Sequence, residues 1–274
     1  MASDEYEQSI LKWRQEVDAN LRRENGWLAL AGLFWLRRGT NLIGSAPESD
    51  ILLPQRAPAR LGTFEFDGDN VMLTVETELP VEVNSVVTKS ALLDTDEEDT
   101  PSFITFEEMR MVVVRRSKGI GIRLWDNSRK ERQLFPSRQW YPVKKELRIP
   151  AIYTRYETPK IVQMPDILGS ITDEPMQGFV AFELNGKIYE LMVEELSDKR
   201  LFVQFMDLTN GQTTYPSGRY HYTEAHEDGK VFVDFNKAYS PPCAFTEYAT
   251  CTFPPQENRL QVAIEAGEIY EGHR

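Results

Sequence analysis

The sequence predicts a mainly β protein, an antiparallel barrel or sandwich with an amphipathic helix at its N-terminus. Short runs that alternate apolar and polar residues recur along most of the chain, as at Val71–Val75 and Val81–Val83. This period of two is typical of strands. Sixteen glycines and sixteen prolines separate the runs and do not collect into a linker. Many short strands at close spacing favour a sandwich or a barrel.

The first segment, Ser3–Glu24, is the strongest helix prediction in the chain. Its apolar residues recur every three or four positions and form one stripe, which consists of Tyr6, Ile10, Trp13, Val17 and Leu21. Arg22 and Arg23 suit the negative end of the helix dipole, and Asn25-Gly26 ends the helix. We expect this helix to lie across a sheet or the mouth of a barrel, and a partner-binding helix is the alternative.

Two hairpins are predicted from turn residues between alternating runs. Phe179–Leu184 and Lys187–Val193 flank Asn185-Gly186, which supplies the two positive-φ residues of a type I′ turn. Met111–Val114 and Gly121–Leu124 flank a turn at Ser117-Lys118-Gly119. The same alternation predicts three more strands, which are Leu201–Phe205, Val231–Phe235 and Leu260–Ile264.

The predicted domain organisation is an N-terminal helix at 1–25 and one β-rich domain at 26–274, with a possible division near 136–150. A chain of 274 residues is compatible with one large β domain or with two smaller ones. We find no internal repeat, and no change of composition is sharp enough to mark a flexible linker.

The charge balance argues against a polyanionic partner. Aspartate and glutamate outnumber lysine and arginine by 43 to 31, which gives a formal net charge of −12 and a pI of about 4.9. Nucleic acids and anionic membranes are bound through lysine and arginine, so neither is expected as the main partner. A local basic pocket remains compatible with a small anion, because net charge does not describe a cleft.

The sequence is typical of a cytoplasmic protein. Asp4 and Glu5 stand where a signal peptide needs positive charge, and the longest apolar run, Trp27–Leu36, is too short to span a bilayer. Two cysteines, Cys243 and Cys251, are too few for a disulfide framework.

The segment Asn41–Leu53 resembles the opening of a forkhead-associated phosphopeptide-binding domain. That family has an arginine beside the glycine and a Ser-x-x-His motif after the proline. This chain has Ser45 after Gly44 and Ala57-Pro58-Ala59-Arg60 after Pro54, so the phosphate-reading residues are missing. A shared β-hairpin pattern is the favoured explanation of the resemblance.

The stretch Phe205–Phe245 contains the strongest functional signal. Aromatic and β-branched residues at strand spacing surround a dense set of polar residues, and two strands are expected to deliver that set to one neighbourhood. Its members are Asp207, Arg219, His221, Asp234 and Asn236.

These residue types are suited to phosphoryl transfer, which needs positive groups on phosphate oxygens, a base and usually a divalent cation. Asp207 and Asp234 are candidate ligands of Mg²⁺ or Mn²⁺ and, with His221, candidate catalytic groups. Arg219 and Arg123 are candidate anion clamps. The hydrogen-bonding groups expected to orient a substrate are Tyr215, Asn236 and Tyr239.

Each of these residues also has a structural interpretation. Asp207-x-Thr209 with Asn210-Gly211 is typical of an Asx-type turn. Asp234 and Asn236 lie on one face and are suited to capping nearby backbone groups. Arg219 paired with either aspartate would be a structural ion pair.

Several longer segments resemble one domain-of-unknown-function family found in bacteria, archaea and fungi. The N-terminal segments are Gly26-Trp27-Leu28, Gly32–Leu36 and Ile122-Arg123 with Asp126. The specific motifs are F-x-D-x-T-x-G-x-x-T-Y-x-x-G-R from Phe205 and D-F-N-x-A-Y-x-P-P-C-A-F from Asp234. The resemblance implies a phosphatase role, with nucleotides among the substrates, and it brings no established mechanism.

Three functions therefore stay open. The first is a metal-assisted hydrolase of a phosphorylated small molecule, such as a nucleotide, that cleaves a phosphate ester or anhydride. The second is a noncatalytic β domain that binds a small ligand. The third is a structural or protein-interaction domain. P-loop, G-x-S-x-G and Rossmann motifs are absent from the sequence.

Overall fold

The computed structural model describes residues 2–272, with side chains from residue 5 onward. The chain divides into two compact units. Arg22–Phe135 forms the sandwich unit, and Met1–Leu21 with Pro136–Arg274 forms the half-barrel unit. The helices within residues 2–272 include none that is long and apolar enough to cross a membrane.

The predicted N-terminal helix is confirmed as α1, Ala2–Arg22. Ile10 and Leu21 from the predicted apolar stripe are fully or almost fully buried. Arg14 and Asp18 are buried as well, although both are charged. Arg14 donates from Nη2 to the Tyr141 carbonyl at 3.0 Å, and Asp18 pairs with Arg138 at 3.2 Å. Polar partners on the half-barrel unit therefore hold the helix in addition to its apolar stripe.

The sandwich unit packs a six-stranded and a five-stranded sheet around one apolar core. The orders of the strands are β1-β11-β10-β9-β6-β7 and β3-β2-β4-β5-β8. The strands are β1 (Leu30–Trp35), β2 (Gly39–Gly44), β3 (Ile51–Leu52), β4 (Gly62–Phe66), β5 (Val71–Val75), β6 (Glu82–Val83), β7 (Val86–Val87), β8 (Ser90–Leu93), β9 (Phe103–Phe106), β10 (Met109–Arg116) and β11 (Gly119–Asp126). A 3₁₀ turn at Trp27–Ala29 and helix α2 (Lys130–Leu134) complete this unit.

The half-barrel unit is built on one antiparallel six-stranded sheet in the order β17-β16-β15-β14-β13-β18, and a two-stranded sheet β12-β19 accompanies it. The strands are β12 (Gln139–Trp140), β13 (Arg148–Pro165), β14 (Ile171–Leu184), β15 (Lys187–Glu195), β16 (Leu201–Phe205), β17 (Arg219–Tyr222), β18 (Lys230–Asp234) and β19 (Glu268–Ile269). The 3₁₀ turns are Lys145–Leu147, Phe235–Lys237, Pro242–Ala244 and Gln256–Asn258.

The two outer strands of this sheet, β17 and β18, lie next to each other. The backbone N–H of Asp234 at the end of β18 donates to Nε2 of His221 on β17 at 3.3 Å. The sheet therefore curls round an apolar interior, to which Val203, Phe205 and Val233 contribute fully buried side chains.

Both predicted hairpins are confirmed. Asn185 and Gly186 have φ of 54° and 75°, as a type I′ turn requires. The turn between β10 and β11 lies at Ser117-Lys118. The predicted strand Leu201–Phe205 is β16, and Val231–Phe235 corresponds to β18 shifted by one residue.

The predicted strand at Leu260–Ile264 is wrong. Leu260 and Ile264 are buried as the alternation indicates, but the segment is irregular. The N–H of Ile264 donates to the Asp207 carboxylate at 3.2 Å instead of joining a strand ladder. The backbone N–H therefore bonds a side chain where a strand would bond a neighbouring backbone. Apolar spacing is the same in both cases and cannot distinguish them.

Candidate binding site

Asp207 follows β16 and forms the predicted turn. Its Oδ1 accepts hydrogen bonds from the N–H and the hydroxyl of Thr209, at 2.8 and 2.6 Å, and from the N–H of Ile264 at 3.2 Å. Asn210 closes the turn by accepting the Asp207 N–H at 2.7 Å. One carboxylate oxygen is thus fully engaged by the local chain.

Arg219 engages the other oxygen of Asp207. Its Nη2 donates to Oδ2 of Asp207 and to the Ile264 carbonyl, and its Nη1 donates to the Ala266 carbonyl. Neither side chain of the pair is exposed to solvent. The guanidinium lies 5.0 Å from the centroid of the Phe205 ring, inside the apolar core. Asp207 and Arg219 are therefore brought together, as predicted, but in a contact closed to solvent.

A second group forms around Asp234 and includes a residue from α1. The hydroxyl of Tyr6 is 2.9 Å from both carboxylate oxygens of Asp234. Asn236 donates its backbone N–H and Nδ2 to Oδ1 of Asp234, each at 3.1 Å, and donates from Nδ2 to the Tyr6 hydroxyl at 3.0 Å. Asn236 also bonds the backbone of Lys144 through its amide oxygen and nitrogen. Asp234 is 4% exposed, so these donors replace water around its charge.

The protonation states in this group follow from burial. Burial, and to a smaller degree the charge of Lys237, lower the pKa of His221 to about 3. Nε2 of His221 accepts the Asp234 N–H, and the lowered pKa leaves the ring neutral at pH 7. Burial and the Asp234 carboxylate raise the pKa of Tyr6 well above its usual value, so its hydroxyl stays a donor.

The remaining predicted residues take other positions. Tyr215 is buried, and its hydroxyl donates to the Cys243 carbonyl at 3.0 Å. Tyr239 pairs through its backbone with Tyr220, and its ring lies 6.1 Å from that of Trp13. Arg123 belongs to the sandwich unit, where it is 8% exposed and lies over the Trp27 ring.

The donor sets around the two aspartates bear on the predicted Mg²⁺ or Mn²⁺ site. Both carboxylates are surrounded by N–H and O–H groups, which occupy the lone pairs that a cation would need. Among the described side chains, no group of three or more His, Cys, Asp or Glu could hold a metal ion. The arrangement does not fit a resident cation, and metal binding there stays a prediction.

A small depression next to Asp234 is the open part of this region. Residues from β13, β17, β18 and the segment after each outer strand line it, namely Arg148, His221, Tyr222, Thr223, Glu224, Phe232, Asp234 and Lys237. It has about 10 Å³ of room for a water-sized group, which is enough for about one such group.

Arg148 is the half-buried cation of this depression. Its guanidinium lies 3.7 Å from the centroid of Phe232 and 5.7 Å from that of Tyr6. Within the part of the chain that the structure describes, its guanidinium makes no ion pair and no hydrogen bond. Lys237 is nearby and pairs with the exposed Glu224 at 3.4 Å. Among the described residues, Arg148 therefore has no acidic partner.

Tyr6 and Arg148 belong to this site, and the sequence analysis assigned neither of them to it. Tyr6 was assigned to the apolar stripe of α1, and 228 residues separate it from Asp234. Arg148 lies opposite Asp234 in the register of β13 and β18. The sequence shows that Arg148 precedes a run of alternating residues, but it does not show that this run pairs with β18.

Comparison with known proteins assigns a family. The family described as "Protein of unknown function (DUF1684)" matches residues 133–269, which is half of the 274-residue chain. The predicted family motifs after Phe205 and Asp234 lie inside this match, whereas Gly26–Leu36 and Ile122–Asp126 lie outside it. Comparison with curated proteins finds no match.

Solved structures with similarity include an uncharacterized protein of Haloarcula marismortui, determined by solution NMR. It is 31% identical, covers 51% of this chain and 80% of its own, and has a TM-score of 0.42. The FhaA FHA domain, solved with the intracellular domain of another protein, is 19% identical over 33% of this chain and 85% of its own, with a TM-score of 0.25. An FHA domain from work on phosphothreonine-dependent interactions is also 19% identical, over 33% of this chain and 79% of its own, with a TM-score of 0.24. On the family match, the chain belongs to DUF1684, a family of proteins of unknown function.

Proposed function

We propose that the half-barrel unit binds a phosphorylated small molecule without covalent chemistry, through the depression lined by Arg148. The observation that carries this proposal is the state of the Arg148 side chain. It is a half-buried guanidinium that lies on the Phe232 ring and has no acidic partner among the described residues. The ligand would supply the missing anion.

An arginine stacked on an aromatic ring is pre-organised to bind an anion. The ring covers one face of the guanidinium, while its N–H donors lie in the plane and stay available at the edge. Two parallel donors match the spacing of oxygens on a phosphate or carboxylate group. Stacking also fixes the side chain, so less conformational entropy is lost when the anion binds.

Two cations and two carboxylates line the depression, so its formal charge is zero. Tyr6 and Asn236 hold the Asp234 carboxylate by hydrogen bonds, and Glu224 pairs with Lys237. Arg148 therefore offers an anion its unused N–H donors and not a surplus of positive charge. Because the depression admits about one water-sized group, a phosphate oxygen would enter it and the rest of the ligand would stay on the surface.

The burial of the predicted catalytic groups supports binding in preference to turnover. The Asp207 and Arg219 side chains have no exposure, and His221 is 1% exposed with a pKa lowered to about 3. A general base must reach the proton that it removes, and its pKa should lie near the working pH. Hydrolysis by Asp207, Asp234 and His221 stays a prediction, and it would require these residues to leave their present partners.

One screen separates the two functions. Phosphorylated metabolites, including nucleotides, are added to the protein with and without Mg²⁺ or Mn²⁺, and both the melting temperature and released phosphate are measured. We expect at least one compound to raise the melting temperature in proportion to RT ln(1 + [L]/Kd) with no phosphate release.

The same screen defines the outcomes against the proposal. Metal-dependent phosphate release that a folded Asp207→Asn variant has lost would establish the hydrolase instead. A panel in which no phosphorylated compound shifts the melting temperature would overturn anion binding at this site. Arg60→Met serves as the control variant for the loss of an arginine, because Arg60 is an exposed arginine that pairs with Glu76 in the sandwich unit.

A further inference from the structure

The carboxylate of Asp234 is the natural partner of Arg148, yet the two are not paired. They are directly opposite each other in the antiparallel register of β13 and β18. Side chains at such positions have Cβ atoms about 4.5–5.5 Å apart, within reach of an ion pair. Both side chains also line the same depression. Something must therefore hold Asp234 away from the guanidinium.

Tyr6 and Asn236 both donate to this carboxylate, and Tyr6 is the one whose donor reaches both oxygens. Its hydroxyl lies 2.9 Å from both oxygens of Asp234 and carries its proton at any working pH, because burial and the Asp234 charge raise the pKa of Tyr6. Asn236 fixes the same hydroxyl from the other side at 3.0 Å. The phenol thus satisfies the carboxylate with a neutral donor and leaves the cation unused.

We propose that Tyr6 is a positioning residue, which keeps Arg148 available to a phosphate group by occupying the Asp234 carboxylate. This inference rests on the proposed binding function and adds a role for α1 to it. The helix supplies one hydroxyl that decides whether the strand pair is an internal ion pair or an open anion site.

The substitution Tyr6→Phe should weaken the binding of phosphate. Without the hydroxyl, Asp234 is a nearly buried carboxylate that has lost a donor, and Arg148 across the strands is the nearest cation to replace it. An added phosphate must then compete with Asp234. We expect the affinity for inorganic phosphate to fall roughly tenfold, as for the loss of one charge-assisted interaction.

A second substitution distinguishes positioning from a general structural effect. In Tyr6→Phe/Asp234→Asn no carboxylate competes for Arg148, and asparagine can still accept the Asn236 N–H. We therefore expect this double variant to recover phosphate affinity to at least the wild-type value. Tyr141→Phe is the control, since Tyr141 donates its hydroxyl to Thr213 outside the depression and should bind phosphate as wild type does.

The test is a titration of the 274-residue chain with inorganic phosphate, measured by calorimetry at constant ionic strength. Loss of affinity in Tyr6→Phe with recovery in the double variant supports the inference. Unchanged affinity in Tyr6→Phe, or a loss that Asp234→Asn does not reverse, overturns it while wild-type binding stands. Absence of phosphate binding by the wild type overturns the proposed function itself, and the inference fails with it.

Discussion

Arg219 and Asp207 form an ion pair in which neither side chain is exposed to solvent. The Ile264 and Ala266 carbonyls and the Thr209 and Ile264 N–H groups add hydrogen bonds to the pair, whereas Nε of Arg219 is buried with no hydrogen-bond partner among the described residues. Buried charges are tolerated when each is paired and hydrogen-bonded in this way. The pair thereby fastens the segment that contains Ile264 to β16 and β17.

Removing one partner of this pair should lower the free energy of unfolding. In Asp207→Asn the guanidinium of Arg219 stays buried without a counter-charge, so we expect the free energy of unfolding to fall by about 3–5 kcal/mol. Urea unfolding followed by circular dichroism measures the change. Asp198→Asn, in the exposed pair with Arg200, should change it by less than about 1 kcal/mol. A stable Asp207→Asn protein that has lost an enzymatic activity would instead favour a catalytic Asp207.

His221 should make stability depend on pH. Its pKa is about 3 in the folded chain and about 6.5 when unfolded, so the unfolded chain binds more protons between these values. The free energy of unfolding should therefore be fully retained above about pH 6.5 and fall as the pH decreases towards 3, by at most about 1.4 kcal/mol per pH unit.

The variant for this prediction is His221→Gln, and the control is Gln139→Ala at an exposed residue. Glutamine at 221 does not titrate, so the unfolding free energy of His221→Gln should depend less steeply on pH between 6.5 and 4 than that of the wild type. Gln139→Ala changes no titratable group and should keep the wild-type slope. Identical pH profiles for the wild type and His221→Gln would show that His221 does not carry the effect.

Arg138 should hold α1 on the half-barrel unit. It pairs with Asp18 of the helix at 3.2 Å and with Glu268 at 3.1 Å, and all three side chains are at most 10% exposed. Arg138→Met leaves two buried carboxylates without their cation, so we expect a loss of about 3–5 kcal/mol and faster hydrogen exchange in residues 5–22.

The control for this change is Arg155→Met, because Arg155 is 64% exposed in its pair with Glu195. Exchange in α1 should be the same in this variant as in the wild type. Slow exchange of the helix in Arg138→Met would mean that the apolar stripe around Ile10 and Leu21 holds α1 without the ion pairs.

Local features of the fold could be predicted from the sequence. The turn at Asn185-Gly186 is determined by backbone conformations that these two residues adopt readily, and the α1 stripe by a period of 3.6. The Asp207 turn was also predictable, because Asp207, Thr209 and Asn210 interact within three residues of each other.

The site required information that the sequence does not carry. Tyr6 meets Asp234 across 228 residues, and Arg148 faces Asp234 only because β13 pairs with β18. The position of α1 determines the first contact and strand order the second, and alternation of apolar residues identifies strands without ordering them. The wrong strand prediction at Leu260–Ile264 has the same cause. Its apolar spacing fits a strand, but the N–H of Ile264 donates to the distant Asp207 carboxylate and not to a strand partner.

The most direct test of the account is the binding of inorganic phosphate to the wild type and to Arg148→Met at constant ionic strength. Methionine keeps an apolar side chain against Phe232 but has no donor, so the account predicts saturable binding by the wild type and a loss of at least about tenfold in affinity in the variant. Equal affinity in the two proteins, or no saturable binding by either, would contradict it.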